Sequence, residues 1–397
     1  MAQSNLADAK NAKNDEFYTQ YHDIEKEINA YLEYNPDVFK DKTILLPCDD
    51  PEWSNFTKYF AQNFKKLKLK KLISTSYAVE SKTYKSGYQT TLFEKKNPNF
   101  DKKKTRIKGK IFTLTKDKTG DNRIDIDDLD WQYMEGDGDF RSTEVKKLRE
   151  EANIIITNPP FSLFREFLAW ILETNKKFII IGNLNTVANK EIFPLIKDNI
   201  LWFGATCFNG GATYFIAPKE LYDSQKMSNE KNAYIKEGKF YWRVNGVRWY
   251  TNIDHGVRHR PLQLMSEKDN LKFNTALLNN LKNKYEVDYY PKYANYDAID
   301  IPMVSAIPKD YNGEMGVPVS FMDKYCPEQF EIIGIGIGAL GKKLGIIPIP
   351  KEIDKSLPGH SSVWRFYIMV GEKAVVPYSR IIIKHKRIKS KKIIEIT

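Results

Sequence analysis

The nine residues Asn153-Ile154-Ile155-Ile156-Thr157-Asn158-Pro159-Pro160-Phe161 constrain this chain more than any other stretch. Three consecutive isoleucines predict a short strand buried on both faces. Two prolines then end it, because neither can donate a ladder hydrogen bond and both hold φ near −65°. The product is a stiff turn at the carboxyl end of a strand, which is where open α/β sheets place their ligands. Asn158 offers a side-chain amide there, the prolines offer carbonyls, and Phe161 offers an aromatic face. The plainer reading is a Pro-Pro turn after a core strand.

Those groups suit a planar exocyclic amine. Asn158 Oδ1 and the Pro159 carbonyl would accept both of its hydrogens, pulling the nitrogen toward tetrahedral geometry and freeing its lone pair for an electrophilic methyl. Phe161 would stack on the base once it is flipped from a duplex. Asn158-Pro159-Pro160-Phe161 resembles the N-P-P-F signature of amino-methyltransferases that use S-adenosyl-L-methionine.

The chain has 397 residues, enough for two domains. Its 23 tyrosines and 22 phenylalanines leave rings for base stacking beyond those a core needs. A net charge of +11 favours a polyanionic partner, although a lysine-rich composition alone accounts for part of it. Cys48, Cys207 and Cys326 form no C-x-x-C pair, which argues against a disulfide framework or zinc site and for a reducing compartment. His255 and His259 have metal-helix spacing but lack the glutamate of H-E-x-x-H, so the segment reads as a basic loop and no metal is expected. Neither a signal peptide nor a membrane span is visible, so a cytoplasmic protein is expected, with residues 1–14 a flexible tail.

Along the chain, Phe17 and Tyr18 precede a helix marked by Ile24, Ile28 and Tyr31. They fit either core or a lid over an adenosyl group, with Thr19 or Gln20 bonding its polar end. A strand at 43–46 then runs into Pro47-Cys48-Asp49-Asp50-Pro51. Methyltransferases hold the methionine end of the cofactor at a first-strand acidic loop, usually one rich in glycine. This loop has none, and Cys48 reads as structural. Residues 79–120 are Lys-rich with strand-like alternation near 90–93 and 111–114, which predicts an inserted hairpin, either solvated or touching phosphates. Residues 117–128 mimic a calcium loop but lack its turn glycine and bidentate glutamate, so an acidic surface turn is expected. In Gly136-Asp137-Gly138-Asp139-Phe140, Asp139 and Phe140 offer an acceptor beside an apolar ring, which would suit an adenine; alone it is a polar turn.

Strands alternating with helices through residue 216 predict a Rossmann-like, doubly wound, mostly parallel α/β sheet. Asp49, Asp139 and Asn158 would then line one rim. Beyond residue 220 the alternation stops, and aromatics interleave with Arg243, Arg248, Arg258 and Arg260, which suits DNA contacts or a surface strand pair. Gly336 to Gly341 matches G-x-G-x-x-G, but no second βαβ unit follows, so a dinucleotide site is rejected. The basic stretch 380–392 reads as a phosphate-contacting strand or tail.

The segments "DEFYTQY", "CDDPEWSNFTKYF", "GDGDFRS", "TNPPFSLFREF" and "DYNGEMGVP" together resemble the EcoRI-type adenine-specific DNA methyltransferase family over nearly the whole chain. The resemblance implies a class I S-adenosyl-L-methionine-dependent catalytic domain over 15–240 and a target-recognition region over 241–397. It also implies that the glycine-free loop is the family's variant of the cofactor motif. Phe17, Tyr18, Thr19, Asp49, Asp50, Pro51, Asp139 and Phe140 would then bind the cofactor, and Asn158 to Phe161 would act on the base. Implied partners are double-stranded DNA and a cognate restriction endonuclease at the same site. A monomer is expected, since no dimer stripe appears. The alternatives are an amino-methyltransferase acting on RNA or protein, and a non-catalytic DNA-binding relative.

Overall fold

A computed structural model of the chain describes residues 19–47, 49–51, 54–78, 98, 100–121, 123–208, 212–217, 233–357 and 362–386. The expected tail at 1–14, Phe17, Tyr18, Cys48, the strand expected near 90–93 and the basic end beyond 386 lie outside the described residues. Two compact units emerge: Met1–Leu184 with Leu201–Gly256, and Asn185–Ile200 with Val257–Thr397. The boundary expected at 240/241 falls inside the first unit, because residues 247–251 form a strand of its main sheet.

The first unit is built on eight strands: β1 (Thr43–Leu46), β2 (Lys71–Ser76), β3 (Lys110–Leu114), β4 (Asp130–Tyr133), β5 (Ile154–Thr157), β6 (Lys177–Asn183), β7 (Trp202–Cys207) and, after three strands of other order, β11 (Val247–Thr251). Their order is β4-β3-β2-β1-β5-β6-β11-β7. The central β2-β1-β5-β6 are parallel. β3 and β11 each run antiparallel to both neighbours, so the other six strands share one direction. The expected mostly parallel sheet is thus present, with reversed strands near its flanks. Residues 110–114, expected within an inserted hairpin, instead pair with β2 from Leu72↔Leu114 to Ser76↔Lys110 and belong to the main sheet. Alternation predicts a strand; it does not name the partner.

Local sequence explains these elements. β1 and β5 are buried at every residue, as their β-branched and leucine runs require. Helix α1 (Tyr21–Tyr34) buries Ile24, Glu27, Ile28 and Tyr31 along one face. Helix α2 (Asn55–Gln62) is capped by Ser54, whose hydroxyl accepts from the Phe56 amide at 3.1 Å. Helices α3 (Lys102–Ile107), α4 (Thr143–Glu151) and α5 (Phe164–Leu172) follow, with Asp101 and Ser142 capping the first two. The buried polar residue of α1 has a purpose: Glu27 accepts from the Ala205 amide, the Thr206 amide (both 2.8 Å) and the Thr206 hydroxyl (2.5 Å), holding β7 in place.

Residues 212–216, expected as the next strand of the main sheet, lie elsewhere. β8 (Ala212–Ala217), β9 (Ala233–Lys236) and β10 (Lys239–Asn245) make a separate antiparallel sheet of order β8-β10-β9.

The second unit carries helices α6 (Phe193–Lys197), α7 (Glu267–Phe273), α8 (Thr275–Tyr285), α9 (Gly338–Leu344) and α10 (Lys351–Ser356). Its strands are β12 (Ala298–Asp300), β13 (Glu314–Pro318), β14 (Phe330–Ile335), the hairpin β15 (Ile368–Val370) and β16 (Lys373–Val375), and β17 (Arg380–His385). The four-stranded order is β12-β13-β17-β14. β17 corrects an expectation: it is an interior strand, with Ile381, Ile382 and Ile383 fully buried, rather than an exposed basic one. Arg380 points inward to Asp300, which also accepts from Tyr285 (2.8 Å) and Tyr293 (2.7 Å). The glycine-rich segment joins β14 to α9, and β14 pairs antiparallel with β17, not with a parallel βαβ partner. Among the described residues no helix is long and apolar enough to cross a membrane.

Candidate active site

Three loops meet the carboxyl ends of the adjacent strands β2, β1 and β5. β5 delivers Asn158 to Phe161. Pro159 and Pro160 are buried, while Asn158 and Phe161 are half-buried. Phe161 opens a single 3-10 turn, in which the Leu163 amide donates to the Pro160 carbonyl at 2.9 Å. Its ring meets Phe215 of β8 edge-on, with centroids 6.4 Å apart. The last residue of β5 ties this loop to the next one: Thr157 Oγ1 donates to the Pro47 carbonyl at 3.0 Å.

The loop after β1 is rigid without glycine, because hydroxyls clamp it. Asp49 is buried, and its Oδ1 accepts from Ser54 Oγ at 2.7 Å. Its carbonyl accepts from Thr57 Oγ1 at 2.8 Å and from Ser74 Oγ of β2. The Asp50 carbonyl takes the Ser54 amide at 2.7 Å, setting the loop on the amino end of α2. Sequence reading found the two aspartates but not Ser54, Thr57 or Ser74. Ser54 alone carried a signal, as a cap ahead of an amphipathic helix. Thr19 is drawn to the same helix end, since its carbonyl accepts from Asn55 Nδ2 at 2.7 Å. Gln20 Nε2 reaches the Tyr214 carbonyl at 2.5 Å.

The third loop begins at the far edge of the sheet, after β4, yet reaches β2. Gly138 makes this possible. It has φ +90°, and a Cβ there would overlap the carbonyl oxygen of Ser76, the last residue of β2. The Ala78 amide donates to the Asp137 carbonyl at 2.8 Å and completes the crossing. Asp139, expected as an acceptor for an adenine amino group, is gripped by Arg141: Nε meets Oδ1 at 2.8 Å and Nη2 meets Oδ2 at 2.6 Å. Arg141 also reaches Glu166 at 3.3 Å. Phe140, expected beside the adenine, is fully buried and packs edge-on against Phe167 and Trp170. It holds the loop from beneath.

Residues 5–386 match the family described as adenine-specific methyltransferase EcoRI. The chain is 38% identical over 388 residues to the type II methyltransferase M.EcoRI of Escherichia coli, covering 96% of this chain and 97% of that one. The chain belongs to the EcoRI-type adenine-specific methyltransferase family.

Two mycoplasma proteins are also similar: M.MgeORF184P of Mycoplasma genitalium at 33% identity, covering 82% of this chain and 84% of its own, and M.MpnI of Mycoplasma pneumoniae at 31%, covering 82% and 83%. No solved structure matches significantly. The α/β sheet described above is that of a class I methyltransferase, and the enzyme is an adenine-specific DNA methyltransferase that uses S-adenosylmethionine.

The residues present fit that cofactor. Thr19 Oγ1 is buried and has no hydrogen-bond partner among the described residues, beside a loop carrying two carboxylates. A sulfonium amino acid needs such acceptors for its ammonium group. Among the described residues no cluster of three His, Cys, Asp or Glu side chains is placed to hold a metal. The calcium-like loop is held from within: Asp128 is buried and accepts from the amides of Lys118 (2.8 Å), Thr119 (2.9 Å) and Asp125 (3.1 Å). Burial pushes its carboxyl up, but those amides outweigh burial and hold it below the ordinary range.

The four arginines of the aromatic-basic stretch divide. Arg243 on β10 and Arg260 in the second unit are exposed. Arg248 sits within β11 in the main sheet and Arg258 bonds Asn199; both are buried, which removes them from the exposed surface.

Proposed function

We propose that this enzyme methylates N6 of an adenine extruded from duplex DNA at a specific sequence. The observation that carries the reading is the bond from Thr157 to Pro47, which fixes the Asn158-Pro159 turn against the acidic loop of β1. An amine bound at the first would face a methyl donor bound at the second, and such alignment supplies most of the barrier reduction.

In this reading Asn158 Oδ1 and the Pro159 carbonyl accept the two N6 hydrogens, and Phe161 stacks on the base, its far edge steadied by Phe215. Pro160 sets the turn. Bound S-adenosylmethionine supplies an electron-poor methyl, so the protein needs no strong base; the product ammonium loses its proton readily. Asp49, Asp50, Pro51 and the Thr19 hydroxyl hold the methionine end, while Phe17 and Tyr18 cover the adenosyl end. Asp139 takes the cofactor's adenine amino group, which requires Arg141 to turn toward Glu166. Phe140 supports that pocket from below.

The second unit supplies most target recognition, and Arg243 and Arg260 contact phosphates. The enzyme works as a cytoplasmic monomer alongside an endonuclease of the same specificity. These finer assignments follow from the chemistry of a protecting methylase, in which one flipped base is modified per binding event.

The test is incubation of purified protein with S-adenosylmethionine and unmethylated bacterial DNA, followed by mass spectrometry of the nucleosides. N6-methyladenine confined to one short sequence supports the proposal. Methylcytosine, or no modified nucleoside, overturns it.

A further inference from the structure

The β8-β10-β9 sheet has two unlike faces. Inward, Phe215 is fully buried and touches Phe161, and Val244 packs against the same core. The opposite face follows from the strand register, in which directly paired residues share a side. Tyr241 pairs with Tyr234 and Ile216, Arg243 pairs with Tyr214, and Lys239 pairs with Lys236. Three tyrosines therefore stand together on the outside. Tyr234 and Tyr241 stack in parallel with centroids 4.7 Å apart and planes 8° apart, and Tyr214 meets Tyr234 edge-on at 4.9 Å.

Three cations border this stack. Lys236, Lys239 and Arg243 are exposed, and none of their side chains makes an ion pair or hydrogen bond with a described residue. Glu237, at the turn, is the one acidic residue among the described residues of the sheet. Lys239 and Arg243 lie four residues apart on one strand, a span of roughly 13 Å that runs past several charges of a DNA strand.

We propose that this outer face is a DNA contact surface. Lys236, Lys239 and Arg243 bind phosphates of the strand flanking the target, and the tyrosine stack takes the face of a base or sugar loosened by extrusion of the adenine. This rests on the flipped-adenine reading above. Charge complementarity selects DNA as the occupant: the face offers cations, hydroxyls and π-faces, which suit a polyanion with stacked bases. Position supports it as well. β8 turns Phe215 inward to Phe161 and Tyr214 outward to the stack, so DNA seated here would contact the strand whose next residue packs against the ring proposed to hold the target base. Gln20 holds the Tyr214 carbonyl, which ties the same strand to the cofactor side.

The test uses the full chain with a mixed-sequence duplex prepared from unmethylated bacterial DNA. Binding is measured across a salt series for the native protein, for the triple variant Lys236→Gln, Lys239→Gln, Arg243→Gln, and for Tyr241→Ala and Tyr241→Phe. Each lost phosphate contact removes about 0.9 from the slope of log affinity against log salt, so the triple variant should lose about 2 to 3. Tyr241→Ala should lower kcat/KM for DNA about tenfold, and Tyr241→Phe should restore it. S-adenosylmethionine binding, measured by calorimetry, should be unchanged in every variant and certifies folding. An unchanged salt slope in the triple variant, with methylation intact, overturns this inference and leaves the methyltransferase reading standing. A native protein that neither binds nor methylates DNA overturns both.

Discussion

Thr157 Oγ1 donates a 3.0 Å hydrogen bond to the Pro47 carbonyl, and so joins the carboxyl ends of two neighbouring parallel strands. One end leads to Asn158, the other to Asp49. Pro47 is followed by a loop that Thr57 and Ser74 hold by the Asp49 carbonyl. The Asn158 loop and the Asp49 loop are therefore parts of one hydrogen-bonded unit, built from buried groups.

Replacing Thr157 by valine keeps the shape and leaves the Pro47 carbonyl without its donor. The expected cost is about 1–3 kcal/mol of stability, together with a fall in kcat as the two loops lose alignment. Thr157→Ser, which keeps the hydroxyl, should recover both. Denaturant melts and single-turnover rates check this; a valine variant with native kcat would show that the bond positions nothing.

Gly138→Ala tests the crossing of the third loop over β2. The residue sits at φ +90°, and the added methyl would press on the Ser76 carbonyl. Strain of about 1–3 kcal/mol should push Asp139 away from the rim. Cofactor affinity should drop about tenfold or more at 1.4 kcal/mol per decade. Calorimetric titration with S-adenosylmethionine measures it, and native affinity in the alanine variant would place the adenine elsewhere.

In the second unit, Asp300 is fully buried and bonds Arg380, Tyr285 and Tyr293. Burial works against the charge on Arg380, but the Asp300 carboxylate more than offsets it and keeps the guanidinium protonated. Asp300→Ala strands a buried cation, at an expected cost of about 3–5 kcal/mol. Chemical denaturation should show this loss, and a change under 1 kcal/mol, well below the cost of removing one partner of a buried pair, would mean that Arg380 finds another partner.

The Asn158 loop was legible because two prolines after three isoleucines leave the backbone little choice. The aspartates of the β1 loop were legible by their place after a strand. Their clamps were not: Thr57 looks like any helix residue and Ser74 like any strand residue until the fold brings them to one carbonyl. Arg141 escaped notice because pairing with Asp139 two residues away leaves no periodic mark. Arg248 and Arg258 were read as surface groups from their aromatic neighbours. Yet Val247 to Thr251 is itself an aromatic, β-branched run, and it fills a sheet position between β6 and β7. Phe140 was read as a pocket wall on local sequence, whereas Phe167 and Trp170, a helix away, claim its ring.

The central claim is that Asn158 holds the reacting amine. Single-turnover methyl transfer to unmethylated DNA, run beside calorimetric S-adenosylmethionine binding for native protein and Asn158→Ala, tests it most directly. The account predicts a loss of about a hundredfold or more in the methyl-transfer rate, with cofactor affinity within about twofold of native, the signature of an interaction made with the acceptor amine rather than with the methyl donor. Native-like methyl transfer by Asn158→Ala would contradict it.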